Sequence, residues 1–152
     1  MSLKKRLALP LTLYAMLTPF ASALAWDLPP PGSVSLSAIL QKISPSMGQV
    51  TDASYDDDGY WELKVCQPAS CQKIYVEPNG NERFRRYAPP EYDMPPPNAM
   101  TAATIVRNLE AREGGRVIDI EFERGRWEVE MLKATAGIKL YLDINGQVVF
   151  RR

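Results

Sequence analysis

At 152 residues the chain is long enough for one ordinary domain or two small ones, and 18 basic residues balance 18 acidic ones. It contains no histidine, which excludes histidine-based acid–base chemistry, serine–histidine triads and the commonest metal ligand. Two cysteines fall short of a four-ligand metal set, and the balanced charge gives no electrostatic footprint for nucleic acid.

The chain opens with Lys4, Lys5 and Arg6, then the apolar run LALPLTLYAML, then the small residues of Ala23-Leu24-Ala25. This three-part pattern predicts a signal peptide over residues 1–25, cleaved between Ala25 and Trp26. The run is too short for a bilayer span of ~20 residues, and Pro10 and Pro19 interrupt it, so no stable membrane insertion is expected after cleavage. Cleavage takes away three of the 18 basic residues and none of the acids, leaving 15 against 18 and a net charge of −3. The expectation is a mildly acidic periplasmic or secreted protein.

Residues 26–34 read as a stiff proline-rich lead-in. Ser35 or Ser37 can then cap a short helix whose apolar residues Leu36, Ile39, Leu40 and Ile43 share one face, with Pro45 as its stop. Trp61, Leu63 and Val65 alternate with polar residues, as do Ile74 and Val76, so each run is a half-buried strand. That parity turns Cys66 and Cys71 away from the core, side by side at the end of a hairpin. In an oxidising compartment the pair reads first as a disulfide. A redox-active pair is the alternative, although the spacing is not C-x-x-C.

Residues 88–99 hold five prolines and read as a semi-rigid connector, with a proline-rich docking peptide as its rival. Thr101 starts a second helix carrying Ala102, Ile105, Val106 and Leu109 on one face, and Gly114-Gly115 ends it. From Arg116 onward the chain alternates again. A two-residue turn at Arg124-Gly125 is expected to pair Phe122 with Trp127, Ile120 with Val129 and Ile118 with Met131. A three-residue loop at Asp57-Asp58-Gly59 is expected to pair Tyr55 with Trp61 and Ala53 with Leu63.

These patterns repeat. Trp61-Glu62-Leu63 falls on Trp127-Glu128-Val129, Ile74 and Val76 on Leu140 and Leu142, Asn79-Gly80 on Asn145-Gly146, and Phe84-Arg85-Arg86 on Phe150-Arg151-Arg152. The expected fold class is therefore α+β, as two tandem units over 35–87 and 100–152. Each would be a helix plus a four-stranded antiparallel meander, with the helices packed on one sheet face.

The second unit resembles a PepSY-type domain in its helix, the Gly114-Gly115 break, the strands VIDIEFE and WEVEM, and GIKLYLDINGQVV with its Asp143 to Gly146 turn. The first unit matches more loosely, departing at Glu77-Pro78-Asn79-Gly80 and at the cysteines. Two units in tandem also resemble the architecture of beta-lactamase-inhibitor-like proteins. The resemblance implies a small exported protein that binds another exported protein, in some members as an inhibitory pro-segment of a protease.

The candidate binding set lies on the wet face of the second unit. The expected register sets Glu121 opposite Glu128 and Asp119 opposite Glu130, and like charges across a strand pair are unfavourable. Lys139 and Arg126 could neutralise them, or a basic partner could. Tyr75 and Tyr141, outward at equivalent positions, join the set as aromatic anchors. Asp56-Asp57-Asp58-Gly59 lacks the spaced oxygens of a calcium loop and reads as a turn. No residue set reads as catalytic and no cofactor is implied. The expected function is a non-enzymatic binding protein, with an envelope-maintenance module or a thiol redox protein as alternatives.

Overall fold

A computed structural model describes residues 28–152; the expected signal peptide and its cleavage point at Ala25 and Trp26 lie outside the described residues. Ser35 caps the first helix, α1 (Leu36–Leu40), by accepting a hydrogen bond from the Ala38 amide at 3.2 Å. The helix ends at Gln41, short of the expected Ile43, and Pro45–Met47 forms a separate 3-10 turn. Thr101 caps the second helix, α2 (Ala102–Glu113), and Gly114 closes it. Ala102, Ile105, Val106 and Leu109 form its buried stripe, as the spacing predicts.

The strands are β1 (Gln49–Tyr55), β2 (Trp61–Gln67), β3 (Ser70–Val76), β4 (Glu82–Ala88), β5 (Arg116–Glu123), β6 (Arg126–Lys133), β7 (Ala136–Leu142) and β8 (Val148–Arg151). They form one eight-stranded antiparallel sheet in the order β4-β3-β2-β1-β5-β6-β7-β8. This corrects the expected fold class. The chain does not make two tandem helix-plus-meander units. β1 hydrogen-bonds to β5, through Asp52 with Glu121, Ala53 with Ile120 and Ser54 with Asp119, so the strands form a single surface. The helices differ as well: α1 has five residues and α2 twelve. They pack against each other, and both touch β5.

Beneath them lies one continuous core. Leu36, Ile39 and Leu40 of α1, the buried stripe of α2, and Trp61, Leu63, Ile74, Ile120, Trp127, Val129 and Leu140 belong to the same cluster. At matching corners Tyr55 meets Trp61 edge-on at 5.3 Å, and Phe122 meets Trp127 edge-on at 5.0 Å. Such pairs contribute ~0.5–1.5 kcal/mol beyond the area they bury.

Four of the five expected hairpin pairs form as read: Phe122 with Trp127, Ile120 with Val129, Tyr55 with Trp61 and Ala53 with Leu63. The fifth does not. Val117, not Ile118, faces Met131, because the register shifts between Val117 and Asp119 and leaves Ile118 as the extra residue of a bulge. β1 shifts in the same way between Val50 and Asp52, leaving Thr51 unpaired against β2. Ile118 is buried but stands apart from the main core.

The connector does more than span a distance. Ala88 and Met94 pack on Cys66 and Cys71, forming a second small core. Glu91 pairs with Lys64, and the Asp93 carboxylate accepts a hydrogen bond from the Arg124 amide in the β5–β6 turn. Met100 then donates its amide to Ile144 at 2.7 Å as the chain enters α2.

Candidate functional site

Because side chains alternate along a strand, the sheet's second face carries what the core rejects. Strand pairing brings these residues into two rows. One runs Phe84, Tyr75, Glu62, Ser54, Asp119, Glu130, Lys139. The next runs Arg86, Lys73, Lys64, Asp52, Glu121, Glu128, Tyr141, Phe150. Turned end for end, one row lies on the other at five positions, Phe84 on Phe150, Tyr75 on Tyr141, Glu62 on Glu128, Asp119 on Asp52 and Lys139 on Lys73, and differs where Ser54 meets Glu121 and Glu130 meets Lys64. In each row carboxylates occupy the middle, with aromatic rings at one end and cations at the other.

The expected oppositions are present, with Glu121 facing Glu128 and Asp119 facing Glu130. Lys139 lies 3.3 Å from both Glu128 and Glu130, and Arg126 lies 3.0 Å from Glu128. Burial alone would raise the Glu128 carboxyl, but hydrogen bonds from Arg126 and Lys139 outweigh it and hold the group low. In the other half Lys73 pairs with Glu62 and Lys64 with Glu91. Glu128 and Glu130 are thus neutralised from within.

The seam between the halves differs. Among the described residues no cation pairs with Asp52, Asp119 or Glu121; the lysines nearby are engaged with other carboxylates. Burial, then the charges of Glu121 and Glu62, push Asp52 up to about 6. Burial, then Asp52, Glu130 and Glu121, push Asp119 up to about 7. Glu121 is raised chiefly by burial, with Glu123 and Glu128 adding to it.

The aromatic anchors need correction. Tyr75 is only 2% exposed, stacked on Phe84 at 4.4 Å and covered by the Arg86 guanidinium at 4.5 Å. Tyr141 is half-buried, with Arg126 at 4.6 Å from its ring. Their cross-strand partners Phe84 and Phe150 are the more exposed rings of these two pairs, at 43% and 58%. Cys66 and Cys71 form a disulfide on the same face, buried beneath the connector.

Sequence reading finds Asp119, Glu121, Glu128 and Glu130 but misses Asp52, Glu62, Lys64 and Lys73. The repeat itself carried the signal, since Asp52 aligns with Asp119, Glu62 with Glu128 and Lys73 with Lys139.

A concave feature of about 490 Å³ lies where the connector meets the start of α2, between Leu40, Ile43, Val50, Met94, Met100 and Trp127. No charged side chain lines it, so it holds none of the titratable acids or bases that proton-transfer catalysis uses. The Asp56 and Asp58 carboxylates are spent locally, accepting from the amides of Asp57 at 2.8 Å and Tyr60 at 3.3 Å.

No protein-family model and no curated protein matches the chain. Among solved structures, it is similar to a candidate lipoprotein from Clostridium difficile 630, at 10% identity and a TM-score of 0.42, covering 70% of this chain and 83% of that one. It is also similar to a DUF2874 family protein from Bacteroides uniformis, at 18% identity, a TM-score of 0.30 and coverage of 78% and 88%. A candidate periplasmic protein from Bacteroides eggerthii gives 14% identity, a TM-score of 0.29 and coverage of 82% and 88%. At these scores the likenesses do not establish a shared fold.

Proposed function

We propose that this is an exported, non-enzymatic, PepSY-like binding protein that meets a basic surface of another exported protein through its open sheet face, and so restrains or regulates it. A secreted or periplasmic protease is the partner class that the PepSY resemblance favours. One observation carries the reading. Among the described residues, half-buried Asp52 and Asp119 and exposed Glu121 form a carboxylate group outside every ion pair, the nearby lysines Lys64, Lys73 and Lys139 being paired with neighbouring carboxylates instead. Such an arrangement is unfavourable alone and complementary to an incoming lysine or arginine. The exposed Phe84 and Phe150 at the two ends of the face add apolar contact. Export is supported by the amino-terminal pattern of residues 1–25, and the lack of histidine supports a non-enzymatic role.

The test compares the natural chain with Glu121→Lys as bait in a periplasmic extract, with Arg112→Glu on α2 as a control for altered charge elsewhere. A basic protein retained by the natural chain and by the α2 variant, but lost on Glu121→Lys, is the expected result. Identical retention on all three baits removes the open face from the proposal.

A further inference from the structure

We propose that the β1–β5 seam is a pH-sensitive joint: Asp52 and Asp119, beside Glu121, take up protons from solvent in weakly acidic conditions, which fastens the two halves of the sheet, and release them in weakly alkaline conditions, which loosens it. This does not depend on any partner of the open face.

The geometry sets it up. β1 pairs with β2 from Gln49 to Tyr55, and β5 with β6 from Arg116 to Glu123, but β1 pairs with β5 only from Asp52 to Ser54. This short ladder is the strand contact between the halves. Its core side is apolar, with Ala53 and Ile120 fully buried. Every side chain at the seam on the opposite face is polar: Asp52, Ser54, Asp119 and Glu121. Asp52 and Glu121 sit directly opposite one another, where like charges repel.

The surroundings do not cancel this. Facing Asp52 are Glu62 and Lys64 on β2, Lys73 on β3, and Glu121 and Asp119 on β5. Facing Asp119 and Glu121 are Glu128 and Glu130 on β6, Lys139 on β7, Glu123 farther along β5, and Glu91 of the connector. Each of the three lysines is already paired, Lys64 with Glu91, Lys73 with Glu62, and Lys139 with Glu128 and Glu130. With Asp52 raised to about 6 and Asp119 to about 7, their charge state changes near neutrality, outside the ordinary carboxylate range. Other ties across the joint include the contacts of α1 with α2 and β5, the Arg124 amide donating to the Asp93 carboxylate, and the Arg116 guanidinium, which donates to the carbonyls of Ser33 at 3.2 Å and Val34 at 3.1 Å.

Two measurements on the whole chain test the joint. Carbon-detected NMR of the side-chain carboxyls should show Asp52 and Asp119 titrating near neutrality. Amide exchange, expressed as protection factors, should fall for seam amides of β1 and β5 relative to those of β3 as pH rises through that range, by about tenfold for each unit of pKa shift relieved. An Asp52→Asn/Asp119→Asn chain should lose this difference. Ordinary carboxyl titration, or seam protection that tracks β3 at every pH, overturns the proposal. Both readouts come from the natural chain, so they decide the matter even if the double variant does not fold.

Discussion

Asp52 of β1 lies directly opposite Glu121 of β5 where the two halves of the sheet join, and neither is in an ion pair among the described residues. Two carboxylates sixty-odd positions apart in the chain have become neighbours at the short ladder that joins the halves. Stability should therefore depend on pH in an unusual direction. A carboxyl whose folded-state pKa is raised contributes stability that is fully present below its unfolded value and is lost as pH rises through the folded one. For Asp52 and Asp119 that window runs from 3.8 to about 6 and about 7. Chemical unfolding midpoints should fall between pH 5 and 8. Asp119→Asn should stabilise the chain at both ends of that range, by ~1 kcal/mol more at pH 8 than at pH 5.

Much of this was readable beforehand, and the part that was not has a physical explanation. Short-range chemistry was legible: Ser35 and Thr101 cap helices, the turns at Asp57-Asp58-Gly59 and Arg124-Gly125 set their hairpins, and Cys66 meets Cys71. The β1–β5 pairing was not, because alternation shows that a strand has a dry face but not which strand lies beside it. Ile118 departs from its expected pairing with Met131 for a related reason. A bulge shifts parity by one residue, and nothing in the alternation marks where that happens. Tyr75 lies on the open face, as its parity predicts, but is covered because its neighbour on β4 is an aromatic ring.

The disulfide closes a short hairpin beneath the connector, so its removal should act at two levels. Replacing both cysteines with alanine should lower stability by roughly 2 kcal/mol through the unfolded chain. It should also expose Met94, which packs against the pair. Faster oxidation of Met94 by dilute peroxide in the double variant, with Met131 in the main core still protected, would confirm that the connector is held down there. Equal oxidation rates would show that Ala88 and the Lys64–Glu91 pair suffice.

Gly48 and Gly125 should respond differently to alanine. Both have positive φ, 123° and 75°, but a Cβ on Gly48 would sit 2.3 Å from the Cys66 carbonyl oxygen, whereas one on Gly125 meets nothing within 4 Å. Gly125→Ala should therefore cost only the left-handed backbone term, ~1–2 kcal/mol. Gly48→Ala must also push β1 away from β2 and should be the more damaging by a clear margin in thermal denaturation. A smaller loss at Gly48 would mean that the entry into β1 adapts freely.

The sharpest consequence of a single sheet concerns cooperativity. Had the chain folded as two tandem units, Trp61→Ala would destabilise the first and leave the second intact, giving two unfolding transitions. Trp61 and Trp127 instead belong to one core, with α1 and α2 packed against each other above it. Each truncation should cost ~3–5 kcal/mol. Each should also shift one common transition, seen alike by far-ultraviolet circular dichroism and by the fluorescence of the remaining tryptophans. At alkaline pH, with the seam carboxylates charged, the Trp61→Ala chain is where the halves should first come apart. A second transition appearing there, and vanishing at pH 5, would locate the weak joint at Asp52, Asp119 and Glu121.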